Sequence, residues 1–267
     1  MSNSSNNRLR DYVAERLPPG QFVPLPLILL LASLVGGREI HLGGLALQLG
    51  LALSWIFQFR LCDDLHDLER DRKQHPHRVL VRTQLLAKFR WVAGLVSLGN
   101  FVATGFLLSW TIAFTLLLPL NLMLAVLYRT GGIPRVVHAQ IVLIKYPVFV
   151  LMLSGGITGL SAETGIAILL IHFTFAVYEL LHDSSLRAEK RGETTLFINA
   201  LALGSVWFLV AGRTISTHPI AAMGLAFLAV TACALLSQLW RPGATNHRRV
   251  FFPAILQLAV LTFLSSS

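Results

Sequence analysis

Apolar stretches close to twenty residues long recur along the whole chain, separated by short polar connections. Nine are read, at about Phe22–Val35, Leu42–Phe59, Trp91–Ser109, Ile112–Tyr128, Val137–Ser154, Thr164–Leu181, Thr195–Ala211, Ile220–Trp240 and Val250–Leu264. At ~1.5 Å of rise per residue, such lengths cross ~30 Å of hydrocarbon as helices. The first and last are short and extend beyond these limits. The pattern predicts an all-α polytopic membrane protein, a bundle of nine transmembrane helices. Ahead of it, Arg8–Leu17 interleaves charges with Leu9, Tyr12, Val13 and Leu17. This predicts a short amphipathic helix on the membrane surface, ended by Pro18–Pro19. Met1–Asn7 is polar and of low complexity, and is expected to be disordered. Residues 1–19 are thus a tail with an interfacial helix, and 20–267 one membrane domain.

Composition agrees. The chain is 54% hydrophobic and 13% charged, against about 25% charged in soluble domains. The net charge of +9 does not indicate nucleic-acid binding, because the basic residues sit at the ends of apolar runs. Nineteen of the 22 Lys and Arg fall in the N-terminal segment and in the connections after spans two, four, six and eight. Only Arg38 and Arg213 fall on the other side, and Lys145 lies within a span. That asymmetry predicts a cytoplasmic N-terminus and an extracytoplasmic C-terminus, with basic loops facing anionic lipid. Cys62 and Cys233 are far apart and outside any CxxC pair, so neither a disulfide framework nor a zinc site is expected. No cleavable leader is expected before the first span.

Candidate chemistry concentrates in the acids. Nine of the 13 lie in Asp63–Asp71 and Glu179–Glu193, at the cytoplasmic ends of spans two and six. On a continuous helix Asp64, Asp67 and Asp71 share one face. At roughly 6 Å and an effective dielectric of about 20, each like-charge pair costs about 3 kcal/mol. The stripe needs a counter-charge. A hard divalent cation such as Mg²⁺ suits an all-oxygen set; pairing with Arg70, Arg72 and Lys73 is the alternative. In the second cluster Glu179 and Asp183 are spaced i, i+4, and Glu189 and Glu193 repeat the spacing across a loop. Two acidic faces at one depth could hold ions that bridge a diphosphate. Lys145, an ammonium within a span, either snorkels or meets an anion. Arg78 is a second cation suited to phosphate oxygens. His66, His75, His77 and His182 lie near the acids. Tyr178, with Phe57, Phe59, Tyr128 and Phe173, fits either an interfacial belt or a cation-stabilising wall. No phosphate loop, HExxH or GxSxG motif occurs.

Asp63-Asp64-Leu65-His66-Asp67-Leu68-Glu69-Arg70-Asp71 resembles NDxxDxxxD, the first aspartate-rich motif of the UbiA superfamily of intramembrane prenyltransferases, with Asp63 in place of the Asn. The following HRVL, with Arg78 and Leu80, resembles that family's RPL. Ile144–Pro147, IKYP, resembles the segment around the basic residue early in its fifth helix. Gly192-Glu193-Thr194-Thr195-Leu196 resembles the GxxTL closing its second motif. Ala188 stands where the family has an aspartate, so either Glu179 and Asp183 form the second acidic face or Glu189 takes part.

The resemblance implies nine helices around a central cavity open to the cytoplasm. It implies transfer of a prenyl group from a polyprenyl diphosphate to a lipophilic acceptor. Mg²⁺ would lie on Asp63, Asp64, Asp67, Asp71, Glu179 and Asp183, and Arg78, Lys145 and Tyr178 would meet the substrate. A terpene cyclase on the same scaffold, or a non-enzymatic transporter or binding relative, is the alternative. Oligomeric state is not legible in the sequence.

Overall fold

The computed structural model describes residues 5–18, 22–35, 41–130 and 132–215, and among these every regular element is a helix. α1 is Ser5–Arg16, α2 Pro24–Leu34, α3 Leu42–His66, α4 Leu68–Gln74 and α5 Val79–Arg82. α6 is Leu86–Leu107, α7 Trp110–Leu127, α8 Arg135–Leu153, α9 Ala162–His182, α10 Ser184–Arg187 and α11 Gly192–Ile215.

Five of these, α3, α6, α7, α8 and α9, are long and apolar enough to cross a membrane. They match predicted spans two to six. The predicted first span appears as the shorter apolar helix α2, and the predicted seventh lies within the 24-residue α11. Ile220–Trp240 and Val250–Leu264 lie outside the described residues, as does Cys233.

Local chemistry explains several of the breaks. Pro24 opens α2, where a missing N–H is harmless. Ser161 caps α9 by accepting from the Thr164 N–H at 3.1 Å. α7 widens into a π turn at Ala113–Leu117, just before Pro119, whose nitrogen cannot donate to the preceding turn. α8 is interrupted by one turn residue, Ile144, with Pro147 close behind.

α2 is enclosed by its neighbours. Ile28, Leu29 and Ala32 are fully buried where it packs against α3, α8 and α9. The outer faces are the opposite. On α6, Trp91, Leu95, Leu98 and Phe106 form an outward apolar stripe, 62–75% exposed. A contiguous stripe of that kind is unfavourable in water and natural in lipid. α1 docks on the bundle through Tyr12, which is 1% exposed and meets Phe89 edge-on at 5.5 Å. It also packs against α5.

The apolar interior carries one polar seam. Gln58 of α3 accepts from Asn100 Nδ2 of α6 at 2.8 Å and donates to Asn121 Oδ1 of α7 at 2.6 Å. Ser54 donates to Asn100 Oδ1 at 2.6 Å, and Trp55 Nε1 to Thr104 at 3.2 Å. With no water available, these bonds fix the register of three helices. Gln58→Ala removes two of them and leaves Asn121 Oδ1 without its donor, while Asn100 keeps Ser54. It should lower stability in detergent by about 1–3 kcal/mol, read as a drop in the melting midpoint of the purified protein.

Candidate functional site

The first acid cluster does not run as one helix. α3 ends at His66, and Asp67 stands outside helical geometry at φ −76°, ψ 2°. α4 restarts at Leu68 and stops at Gln74, because Pro76 drives His75 out of the helical region. The expected shared face of Asp64, Asp67 and Asp71 is therefore broken. Asp64 turns toward α1, Asp67 faces the pocket described next, and Asp71 is buried away from it.

A pocket of about 800 Å³ opens where the ends of α3, α7, α8 and α9 meet. Asp63, Asp64 and Asp67 line it from one segment, Glu179 and Asp183 from the other. Arg78, Lys145 and Tyr178 line it too. Of the residues that the resemblance assigns to metal or substrate, Asp71 alone is absent from the lining. The inner wall is apolar: Ile56, Phe59, Phe149 and Phe175. Phe149 packs on Phe59 and Trp55, both at 5.3 Å between ring centroids. One pocket thus combines a charged mouth with an aromatic interior.

The counter-charges come from within the chain. Asp63 pairs with Lys145 and accepts from the Tyr128 hydroxyl. Lys145, 4% exposed, does not snorkel; it is held on α3 across the bundle. Arg16 grips Asp64 with both Nε (2.8 Å) and Nη2 (2.5 Å), Tyr12 donates to the same carboxylate at 2.9 Å, and Arg60 stands 3.7 Å away. Arg70 pairs with Asp67 at 2.9 Å. Arg78 pairs with Asp71, whose other oxygen, Oδ1, is buried with no hydrogen bond among the described residues. Of the expected local partners, only Arg70 is used.

α9 ends at His182, so Asp183 leaves the helix and caps α10 instead. Its Oδ1 accepts from the Ser185 N–H at 2.9 Å and the Leu186 N–H at 3.3 Å, and Arg135 lies 3.6 Å from Oδ2. The expected i, i+4 face of Glu179 and Asp183 is lost with that turn. Glu189 is 3.7 Å from Arg135 and accepts from the Val136 N–H at 3.3 Å. Glu179 makes no hydrogen bond or ion pair with the described residues. Gly192 is required where it stands: a Cβ would lie 2.3 Å from the Leu186 carbonyl oxygen and 2.4 Å from that of Arg187.

Burial pushes the Asp67 carboxyl above the ordinary carboxylate range, further than Arg70 and His66 pull it down. Burial alone would also raise Asp183, but the hydrogen bonds from Ser185 and Leu186, with Arg135, hold it below that range. The Tyr12 and Tyr128 phenols are raised by burial and by the carboxylates they face, so they remain donors.

Sequence reasoning missed Arg16, Tyr12, Arg60, Tyr128 and Arg135. In the sequence Tyr12 is only part of an apolar stripe, and Tyr128 fits an interfacial belt or a cation-stabilising wall; neither pattern points to a carboxylate partner. His66, Tyr128 and His138 form a three-ring cluster on the pocket wall, with centroids 4.7, 5.3 and 6.0 Å apart.

Among the described residues, no three His, Cys, Asp or Glu side chains converge as a preformed metal cage. Mg²⁺ does not require one. It is commonly bound through one or two carboxylates, waters and substrate phosphates. Asp67, held by Arg70 through one oxygen, and Glu179 are pocket-lining carboxylates that fit that mode; Asp63 has both oxygens taken by Lys145 and Tyr128, Asp64 has both taken by Arg16, and Asp71 lies off the lining. Compared with known proteins, the chain matches no family model, no curated protein and no solved structure.

Proposed function

We propose that the chain is a magnesium-dependent intramembrane prenyltransferase of the UbiA type. It would take the prenyl group of a polyprenyl diphosphate and attach it to a lipophilic acceptor. The observation that carries this reading is the composition of one pocket. Two acid-bearing segments distant in sequence meet there, six Lys or Arg face five carboxylates at its mouth, and phenylalanines close its interior. An anionic head on a hydrocarbon tail is the ligand such a pocket suits.

Asp67 and Glu179 would hold Mg²⁺, which when bound offsets the charge of the departing diphosphate. Arg78 is oriented by Asp71, and Lys145 by Asp63, so both reach the pocket with their geometry already fixed. Tyr178, on the wall with Glu179, borders the prenyl chain near its diphosphate. As the C–O bond breaks, its electron pair leaves with the diphosphate. Phe59, Phe149 and Phe175 exclude water from the allylic cation that remains. The acceptor then bonds to that carbon and releases a proton.

The test is incubation of the purified protein with prenyl diphosphates of several chain lengths, Mg²⁺ and lipophilic acceptors, with products identified by mass spectrometry. A hydrocarbon or alcohol made from the diphosphate alone would indicate a cyclase. No turnover and no diphosphate binding would remove the enzyme reading.

The same reading places a nine-span protein in the cell membrane, with the pocket toward the cytoplasm. A reporter fused after Ser267 should then be extracytoplasmic, and one inserted near Gln74 cytoplasmic. Both on one side would refute nine spans.

A further inference from the structure

We propose that the N-terminal helix α1 is part of the diphosphate site, and that Arg16 is its positioning residue; this rests on the functional reading above. Three contacts join α1 to the first acid cluster. Arg16 holds both oxygens of Asp64 in a fork. Tyr12 adds a third hydrogen bond to that carboxylate. Glu15, next in the chain to Arg16, accepts from the Val79 N–H at 2.8 Å. Val79 follows Arg78, so adjacent residues of α1 brace Asp64 and the backbone that carries Arg78.

Asp64 lines the pocket with its side chain 7% exposed. Saturated by Arg16 and Tyr12, it repels an incoming anion less and holds Arg60 only as a long ion pair. Arg60 then stands off at 3.7 Å with 43% of its side chain exposed, and it too lines the pocket. Without Arg16, Asp64 would regain an unbalanced charge and draw Arg60, one turn away on the same helix, into a full ion pair. The mouth of the pocket would gain the unbalanced negative charge of Asp64 and lose the positive charge of Arg60 in effect. Arginine is specific to the task, because only a planar fork serves both carboxylate oxygens at once.

The test measures binding of inorganic diphosphate with Mg²⁺ to the full-length protein in detergent. Arg16→Ala should weaken binding about tenfold or more, Arg16→Lys should recover only part of it, and added guanidinium ion should restore much of the Arg16→Ala loss. In an Asp64→Asn chain, Arg16→Ala should cost less than about threefold, since the charge it balances is gone. Unchanged affinity in Arg16→Ala would overturn the proposal while leaving the functional reading intact. So would loss of binding in Asp64→Asn alone, which would put Asp64 on the ligand itself. Full-strength loss from Arg16→Ala in the Asp64→Asn chain would do the same, by showing that Arg16 does not act through Asp64. Absence of diphosphate binding by the unmodified protein would instead overturn the functional reading, and this inference with it. Melting curves of each variant confirm that the compared proteins are folded.

Discussion

On the proposed Mg²⁺ site, Asp67→Asn is expected to reduce Mg²⁺-dependent diphosphate binding by at least the ~10–100-fold that losing a side chain which only supports a metal ligand costs, while metal-free stability holds or rises. The two halves have one cause. Asp67 stands in a partly buried place that disfavours its charge, and its carboxyl lies above the ordinary range. For an acid raised in the folded state, the ionised form destabilises folding at pH values above the ordinary carboxylate range, and protonation relieves it. Asparagine keeps the shape and removes the charge, so without a cation the fold gains or breaks even. With a cation the ligand is gone. Titration of diphosphate at several Mg²⁺ concentrations, beside melting curves without Mg²⁺, reads both. A clear loss of metal-free stability would show that the Asp67–Arg70 pair is structural. Unchanged Mg²⁺ dependence would remove Asp67 from the metal. In the unmodified protein, Mg²⁺-dependent affinity should fall as pH drops through the raised Asp67 range, because protons then compete for the ligand.

Lys145→Met should destabilise the protein by about 3 kcal/mol or more, the scale for breaking a buried ion pair from one side. Lys145 is buried in the bundle, and its partner Asp63 would keep only the Tyr128 hydroxyl. Adding Asp63→Asn removes the stranded charge, so Asp63→Asn with Lys145→Met should recover at least half of the loss. That double variant also separates two roles. If Lys145 serves only the fold, diphosphate affinity returns with stability. If it also meets the diphosphate, the double variant melts normally and still binds weakly. A single Lys145→Met variant as stable as the unmodified protein would show that the pair is not the buried link the geometry describes.

The charged residues divide sharply in how far the sequence revealed them. Lys145 stood out because an ammonium within an apolar run demands a partner, yet nothing local identified Asp63, 82 residues away in the chain. Asp183 looked like half of a helical pair because i, i+4 spacing assumes that the helix continues. The chain turns one residue earlier, and the same carboxylate becomes the cap of the next short helix. Arg16 gave no signal at all: a lone arginine on a surface helix is ordinary until Asp64 is placed beneath it.

Hydrophobic length by itself predicted helices, and the described residues are helical, with five helices long and apolar enough to cross ~30 Å of hydrocarbon. It also located most ends of the described helices to within a few residues, though α3 runs seven residues past the predicted Phe59 and α6 starts five before Trp91, and it marked the two acid-bearing segments as the chemical ends of α3 and α9. Those properties are local, written in runs and spacings. Only the tertiary structure decided which cation neutralises which acid. It gave Asp64 to α1, Asp63 to α8 and Asp71 to Arg78, and left Asp67 and Glu179 to face the pocket. The physical reason is that an ion pair depends on distance in space alone. Helices that fold back on one another bring together charges whose separation in the sequence carries no trace of the meeting.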